Sequence, residues 1–412
     1  MRTDVCIIGA GPAGLMASIH CAIANAETVV VESNTVAGKK LLQSGGGRCN
    51  FTHLAGPDEI ARAFGPKGRF LSYSLHQFTP QHVRQLFHKW GLESKVEQDS
   101  CVFPVTDHAG DVRDALVDQA KRLGVRFLYG RRISSIAKEA GMFIIRAAAE
   151  PLCAERLIIT TGGLSWPQTG STGDGYRFAR EMGHHIVEAK ASLVPLVTRQ
   201  DWPGQLAGTA VENVRVSARI NNRKITTAGA IIFTDDGIGG PAVLDMSRYL
   251  TDHLPALEKP LEIIIDLAPQ ITEVQLGTQF TALIAANPKK KVVNVLAGFV
   301  PKRLSVVLCR LAGCGDELPA NQLKKDVRKR IVRILKTLPF SVVSTRPIDE
   351  ATVTRGGVST SEIETKTMES KICPGLFFAG EVIDVDGPCG GYNLQMCWST
   401  GALAGSSAAK DL

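Results

Sequence analysis

The first residues of the chain constrain its fold most, because they join a strand, a glycine-rich turn and a helix in a fixed order. Residues 5–8 (VCII) form an apolar run typical of a buried strand, and GAGPAG follows at residues 9–14. The next residues, LMASIHCAIA, have the pattern of a helix. Glycines in this order permit a tight turn and let a pyrophosphate approach backbone amides at a helix N-terminus. The sequence therefore predicts a doubly wound α/β domain that binds a dinucleotide.

An acidic residue at the expected distance supports this interpretation. A second strand-like run, residues 28–31, ends at Glu32. A carboxylate about 20 residues after the glycine turn can hold ribose hydroxyls. The residues predicted to bind the nucleotide in this part of the chain are Gly9, Gly11, Ala13, Gly14 and Glu32.

Two further strand-like runs also end in glycine and indicate which dinucleotide is bound. Residues 157–161 are followed by a glycine pair, and residues 376–379 are followed by Gly380 and Glu381. A nicotinamide dehydrogenase needs one phosphate turn, whereas FAD lies across a doubly wound sheet and is contacted by several strand ends. We therefore predict FAD as the cofactor.

A further glycine cluster, FTDDGIGGPAV at residues 233–243, also fits a strand, a turn and a helix. Asp235 and Asp236 would repel the 2′-phosphate of NADPH, and no ribose-binding acid is suitably spaced after them. We expect a simple helix start there and no second dinucleotide domain. NADPH or NADH would then reach the flavin as an electron donor through an open substrate cavity.

Positive charge is concentrated in one segment. The net charge of the whole chain is +7, but residues 288–336 carry thirteen basic residues against three acids, a surplus of ten. A concentrated basic surface can neutralise several phosphates, whereas a solvated helix face is the simpler alternative. We favour structured RNA as a partner of this segment.

Several other classes of site and location are not indicated. The ten cysteines lack paired zinc-ligand spacing and the nine histidines form no HExxH array, so we predict no metal site. No apolar run approaches the length of a membrane span, and the first residues enter a strand rather than a signal segment. We expect a cytoplasmic protein with no membrane partner.

Three longer stretches have a recognisable pattern. They are SGGGRCNFT, TTGGLSWPQTGSTGDGY and TRGGVSTSEIETKTMESKICPGLFFAGEVIDVDGPCGGYNLQMCWSTG. Together, and in this order, they resemble the BaiN/RdsA family of FAD-dependent oxidoreductases, also called YhiN-type or aminoacetone-oxidase-like flavoproteins. The resemblance covers essentially the whole chain.

The resemblance implies a fold of class α/β, in which a Rossmann-like, doubly wound FAD-binding domain is interrupted by an inserted β-barrel and a helical domain. We expect the FAD-binding domain to comprise residues 1–192 and 339–412. Short β-branched runs such as VRVSARI and AIIFT indicate the barrel in residues 193–268. Helical periodicity indicates the basic helical domain in residues 269–338, with its last helix over residues 321–338.

The resemblance also implies further cofactor contacts. The loop at residues 45–50 is expected to cradle the cofactor beside its pyrophosphate and flavin, Asp174 to orient a loop at the adenosine end, and Glu381 to lie near the ribityl chain or ribose. A helix opening at residues 390–393 would stabilise negative charge on reduced flavin. The additional residues assigned to cofactor binding are Lys39, Lys40, Gly45, Gly46, Gly47, Arg48, Asn50, Thr161, Gly162, Gly163, Asp174, Gly380, Glu381, Gly391 and Asn393.

Two residues are candidates for catalysis, each with a simpler alternative. Cys49 has no second cysteine a few residues away, so it is not a disulfide centre; it is either a small packing residue or a proton donor. Tyr392 either forms a wall of the pocket or donates a proton.

Flavin chemistry sets the reaction type, which is reduction of an activated C=C bond or oxidation of an amine or alcohol. Our leading hypothesis is an enzyme that reduces uracil to dihydrouridine in ribosomal RNA. The first alternative is a small-molecule flavoenzyme, either a reductase of steroid-like enones or an amine oxidase such as aminoacetone oxidase. The second is a non-enzymatic flavoprotein that binds RNA or protein.

Overall fold

The computed structural model describes residues 1–97, 99–254 and 260–410 of the 412-residue chain. The chain forms two compact units. Unit 1 comprises Met1–Lys190 and Ile348–Leu412, and unit 2 comprises Ala191–Pro347. Both ends of the chain therefore build unit 1, and the insertion between them is one unit rather than two.

The strands and helices are numbered in chain order. The strands are β1 Arg2–Ile8, β2 Thr28–Val31, β3 Thr52–His53, β4 Ser94–Val96, β5 Cys101–Pro104, β6 Arg126–Leu128, β7 Ile133–Glu139, β8 Met142–Ala147, β9 Leu152–Ile159, β10 Ile186–Ser192, β11 Leu196–Thr198, β12 Ala210–Ile220, β13 Arg223–Phe233, β14 Gly237–Gly239, β15 Leu261–Asp266, β16 Leu338–Thr345, β17 Val353–Val358 and β18 Leu376–Phe378. The helices are α1 Pro12–Ile23, α2 Pro57–Ala63, α3 Gly68–Gln77, α4 Pro80–Lys89, α5 Ala109–Arg122, α6 Asp174–Glu181, α7 Pro241–Leu250, α8 Glu273–Ala286, α9 Val292–Leu296, α10 Lys302–Leu311, α11 Lys325–Lys336 and α12 Tyr392–Ala408.

The main sheet of unit 1 aligns the ends of its parallel strands. Strands β6, β2, β1 and β9 lie side by side, and β18 pairs with β9. Ile8 lies opposite both Val31 and Ile159, and Ile159 lies opposite Phe378. One edge of the sheet therefore collects the residues that follow these strands, which are Gly9, Glu32, Thr160 and Ala379.

Strand β9 covers residues 152–159, whereas the sequence predicts a strand over residues 157–161. The two ends of β9 pair with different neighbouring strands. Its first residues, 152–154, pair antiparallel with β8, and β8 in turn pairs antiparallel with β7. Its last residues, 157–159, pair in parallel with β18. The polar residues Glu155 and Arg156 obscure the first half of the strand in the sequence. Two smaller sheets, β3-β5-β4 and β10-β17, complete the strands of unit 1.

Helices α1 and α12 pack at very short range. A Cβ atom added to Gly401 would lie 2.5 Å from the Ala13 carbonyl oxygen, and one added to Gly405 would lie 2.3 Å from that of Ala17. Only glycine permits this approach of the two backbones. The contact fixes the second half of α12 against the first half of α1.

Unit 2 contains a closed barrel in the order β11-β14-β13-β12-β15-β16. Strand β16 pairs with both β15 and β11, so it closes the barrel. The predicted boundary between residues 338 and 339 differs from the structure, since β16 belongs to the insertion. The barrel closes only if the free edge of β15 pairs with another strand. No local sequence pattern indicates which later strand provides that partner.

The glycine cluster at residues 237–243 is part of this barrel. Gly237 is in β14, where a Cβ atom would lie 2.0 Å from the Leu196 carbonyl oxygen of the neighbouring strand. Gly240, with φ +86°, precedes α7. These glycines therefore serve close strand pairing and a helix start.

The helices of unit 2 share one apolar core with the barrel. Buried side chains of α8, α10 and α11 cluster with those of the barrel strands. Helix α11 buries Ile331 and Leu335 and exposes most of its basic side chains. It is shorter than the predicted helix over residues 321–338, because Leu338 already begins β16. No helix within the described ranges is long and apolar enough to span a bilayer.

Candidate functional site

The glycine turn after β1 combines two tightly packed glycines with one open position. Gly9 has φ +102°, and a Cβ atom there would lie 2.7 Å from the Thr160 carbonyl oxygen. A Cβ atom on Gly14 would lie 1.9 Å from the Gly9 carbonyl oxygen. A Cβ atom on Gly11 would have no atom within 4 Å. Gly11 therefore leaves open space beside the N-terminus of α1, where a phosphate can approach the backbone.

Glu32 is held in place at the end of β2. One carboxylate oxygen accepts the Ala10 backbone N–H at 2.8 Å, and the other accepts the backbone N–H and side-chain amide of Asn34, each at 2.8 Å. The Ser33 hydroxyl adds a weaker contact at 3.2 Å. The carboxylate thus ties the phosphate turn to the neighbouring strand end.

Thr160 is a functional residue that sequence reasoning missed in favour of its neighbour Thr161. Its hydroxyl donates towards the carbonyl oxygens of Ile8 at 3.0 Å and Gly9 at 2.8 Å. It therefore holds the glycine turn against the end of β9. The sequence shows two adjacent threonines directly before Gly162 and Gly163, and this pattern pointed to the pair without indicating which threonine holds the turn.

A second cluster forms around Glu381. The Lys40 ammonium group donates to Glu381 at 2.8 Å and to the Ser165 hydroxyl at 2.6 Å. Glu381 also accepts the Ser165 hydroxyl at 2.9 Å and the Thr354 backbone N–H at 2.8 Å. The structure brings the predicted residues Lys40 and Glu381 together from distant parts of the chain. Ser165 and Thr354 join them without having been predicted.

The three-glycine loop adopts a backbone that only glycine takes readily. Gly45, Gly46 and Gly47 have φ angles of +56°, +67° and +88°. Arg48 follows and turns away to a bidentate pair with Glu97 at 3.0 Å, with its guanidinium 3.9 Å from the centre of the Phe103 ring. Arg48 is thus fixed by protein groups of the same unit.

Lys39 and Asp174 also contact other protein groups. The Lys39 ammonium group donates to the Gln168 carbonyl oxygen at 2.7 Å. Asp174 is the first residue of α6 and pairs with Arg132 at 2.9 Å, while the helix start itself has no side-chain cap. Lys39 is exposed and Asp174 is half-buried.

The start of α12 meets the end of the glycine loop. Gly391 has φ +90°, and a Cβ atom there would lie 2.4 Å from the Thr52 carbonyl oxygen and 2.8 Å from the Asn50 side-chain oxygen. Asn393 accepts the Gly387 backbone N–H at 2.8 Å and donates back to the Gly387 carbonyl oxygen at 3.0 Å. The glycine loop and the start of α12 are therefore in direct contact.

Five buried side-chain polar atoms in unit 1 have no hydrogen-bond partner among the described residues, and three of them belong to or adjoin residues predicted to bind the cofactor. These three are the Asn50 side-chain oxygen, the Thr161 hydroxyl and the Tyr176 hydroxyl. A Cβ atom on Gly163 would lie 3.0 Å from the Tyr176 hydroxyl, and one on Gly175 would lie 2.1 Å from the Thr161 hydroxyl. Buried polar atoms are normally paired, so these atoms fit a ligand with many polar groups, such as a dinucleotide.

The family follows from comparison of the whole chain with known proteins. The family described as "HI0933-like protein Rossmann domain" matches residues 3–407. The chain belongs to this HI0933-like family. That assignment confirms the predicted resemblance and the Rossmann-like fold with an inserted barrel.

Individual relatives cover the same length. The ribosomal RNA dihydrouridine synthase of Escherichia coli is 33% identical over 406 residues, which are 97% of this chain and 96% of that protein. The 3-dehydro-bile acid delta(4,6)-reductase of Clostridium scindens is 31% identical over 407 residues, 98% of each chain. Among solved structures, 3-ketosteroid delta1-dehydrogenase of Sterolibacterium denitrificans has a TM-score of 0.55 at 13% identity over 100% of both chains. The last likeness concerns the fold alone.

The HI0933-like chain is an FAD-dependent oxidoreductase. The open space at Gly11, the fixed carboxylate of Glu32 and the unpaired buried atoms fit this cofactor. When bound, FAD supplies two-electron hydride chemistry at its ring system. The individual contacts of the predicted residues with FAD stay predictions. The described residues contain no group of three or more His, Cys, Asp or Glu that could hold a metal ion.

The two catalytic candidates have different environments in this HI0933-like chain. Cys49 has no exposed surface and belongs to the apolar core, where burial raises the pKa of its thiol to about 12. This environment favours the packing interpretation of Cys49. Tyr392 is half-buried at the first position of α12, and its ring stacks on that of His53. Tyr392 is the better placed of the two to meet a substrate.

Proposed function

We propose that this FAD-dependent oxidoreductase reduces an activated C=C bond, and that its leading substrate is uracil in structured RNA, above all ribosomal RNA. The product would be dihydrouridine, with NADPH or NADH as the electron donor. The name of the Escherichia coli relative supports this substrate, and a cytoplasmic location would be consistent with it. The observation that carries the proposal is the state of the basic residues in unit 2.

Five of the thirteen basic residues in segment 288–336 are engaged by protein groups. Lys336 pairs with Asp266 at 2.8 Å and is mostly buried, and Arg310 pairs with Asp316. Lys291 pairs with Glu317, while Arg303 and Arg330 donate to backbone carbonyl oxygens. These residues stabilise unit 2 and need no external partner.

The other eight basic side chains contact no acidic side chain within the described ranges, and all but the half-buried Arg328 are exposed. They are Lys289, Lys290, Lys302, Lys324, Lys325, Arg328, Lys329 and Arg333. Four of them lie on α11. Lys325, Lys329 and Arg333 are exposed there, whereas Arg328 is half-buried on the same face as Ile331 and Leu335. Eight unneutralised cations on one structural unit suit a phosphate backbone better than a small uncharged substrate.

The small-molecule alternative is favoured by a different observation. The bile acid reductase relative is as similar as the RNA-modifying one and covers the same length. A steroid-like enone has no phosphates, so its turnover would not depend on the basic face of unit 2. An amine oxidase, or a non-enzymatic flavoprotein that binds RNA or protein, has no such support.

The test replaces the four cations of α11 together, as Lys325→Gln, Arg328→Gln, Lys329→Gln and Arg333→Gln. We expect the dissociation constant for a ribosomal RNA fragment to rise about 10²-fold at about 0.1 M salt. The slope of log affinity against log salt should become shallower by about 3, since each of the four lost phosphate contacts removes roughly 0.7–0.9. Filter binding or fluorescence anisotropy over a salt series measures both quantities.

The matched control removes four exposed cations from unit 1, as Arg69→Gln, Lys89→Gln, Lys121→Gln and Arg122→Gln. Both variants have the same net charge. Equal losses of RNA affinity in the two variants would mean that only total charge matters, and would contradict a binding face on α11. Unchanged RNA affinity in the α11 variant would favour the small-molecule alternative.

A further inference from the structure

His53 and Tyr392 form a side-chain pair where the glycine loop meets α12. Their ring centres are 4.6 Å apart, with the planes inclined by 28°. The Tyr392 hydroxyl oxygen lies 3.4 Å from His53 Nε2. Both side chains are half-buried. The pair thus joins the stretch after the glycine loop to the first residue of α12.

The hydrogen bonds of His53 determine which ring nitrogen carries its proton. Nδ1 accepts the Ala55 backbone N–H at 3.0 Å. A neutral imidazole has one donor and one acceptor nitrogen, so Nε2 is the donor. Nε2–H therefore faces the Tyr392 oxygen at 3.4 Å, and the Asp99 backbone is a second acceptor for the same proton.

The environment of His53 keeps the ring neutral near pH 7. Burial lowers the pKa of His53, opposed by a hydrogen bond with the Asp99 backbone and by the negative charges of Glu59 and Asp99. The assignment of Nε2 as the donor nitrogen holds for this neutral form of the ring. A neutral Nε2–H donor stabilises a phenolate more than a phenol, because hydrogen bonds to a charged acceptor are stronger.

We propose that Tyr392 is the proton donor of the reaction and that His53 is the residue that positions it and stabilises its phenolate. This inference rests on the proposed reduction of a C=C bond. The Tyr392 O–H bond breaks, and its proton forms a C–H bond at the carbon next to the one that receives hydride. The hydride and its two electrons come from the reduced flavin, and water returns a proton to Tyr392 afterwards.

The first test measures the pKa of Tyr392 without any substrate. The chain has five tyrosines, so NMR of protein labelled with ¹³C at the tyrosine ring carbon bearing oxygen gives few signals, and Tyr392→Phe assigns the relevant one. His53→Leu should raise the pKa of Tyr392 by at least about one pH unit. His53→Gln, whose side-chain amide can donate from a similar position, should restore most of the wild-type value. An identical Tyr392 pKa in wild type and His53→Leu would overturn the pairing.

The second test is kinetic and uses two substrates, a steroid-like enone and a ribosomal RNA fragment. Tyr392→Phe should lower kcat by about 10²-fold or more, and His53→Leu by about 10-fold, with little change in KM and with rescue by His53→Gln. If Tyr392→Phe reduced such a substrate with the same kcat as wild type, Tyr392 would not be the proton donor. Activity on the enone alone, with the same dependence on both residues, would support this pair and contradict only the RNA substrate.

Discussion

Single side chains hold the strand-end edge of unit 1 together. Glu32 joins the phosphate turn to β2, and Thr160 joins the same turn to β9. The position of Glu32 at the end of β2 could be predicted because its distance along the chain from the glycine turn is characteristic, and its contact with ribose stays a prediction. The roles of Thr160, Ser165 and Thr354 could not, because their partners become neighbours only when the sheet forms.

The His20 side chain gives a prediction at this scale. Its Nδ1 contacts the Ser406 hydroxyl at 3.2 Å, while its Nε2 is buried without a partner among the described residues. Burial lowers the pKa of His20 from 6.5 to about 4. The folded protein therefore resists protonation of this ring, and stability present above pH 6.5 should be lost as the pH falls from 6.5 towards 4.

The comparison uses His20→Gln, which cannot titrate. Between pH 7.5 and pH 5, wild type should lose on the order of 1–2 kcal/mol more unfolding free energy than the variant. Urea unfolding at several pH values measures the difference, and acidic groups common to both proteins cancel. If the unfolding free energies of the two proteins changed with pH in parallel, protonation of His20 would not destabilise the fold, and the prediction would be wrong.

Secondary-structure elements were predictable where their signal is local. Strand β2 has the predicted bounds, and β1 and β18 differ from theirs by a few residues at most. Strand β16 was assigned to the wrong part of the fold, because its barrel partners are far away in sequence. The helical periodicity of the apolar residues predicted the middle of α11, but not the residues at which the helix begins and ends.

The contact between α1 and α12 leads to a prediction about packing. Gly401→Ala places a methyl group against the Ala13 backbone, which cannot move aside cheaply. We expect a loss of about 1–3 kcal/mol of stability. Urea unfolding followed by circular dichroism provides the measurement.

Gly277→Ala is the matched control, because Gly277 lies inside α8 with its nearest neighbouring atom 4.0 Å from an added Cβ. Alanine there should stabilise the helix by up to about 1 kcal/mol. The same helix-propensity gain applies at Gly401, so opposite signs for the two variants isolate the packing cost. Stabilisation by both substitutions would contradict the close contact of α1 and α12.

At the scale of the whole molecule, the chain combines a cofactor unit built from both its ends with an inserted unit that carries surplus positive charge. The cofactor class could be predicted from the order of the strand-end motifs, and the family and the inserted barrel from the resemblance that three longer stretches carry. The joining of barrel and helices in one core could not, because the apolar faces that they share lie on different elements.

The most direct test is the content of dihydrouridine in ribosomal RNA. Mass spectrometry of digested ribosomal RNA would compare cells that carry the gene, cells without it, and cells complemented with wild type or Tyr392→Phe. The account predicts that a dihydrouridine is lost with the gene, returns with wild type and does not return with Tyr392→Phe. An identical modification profile with and without the gene would contradict it.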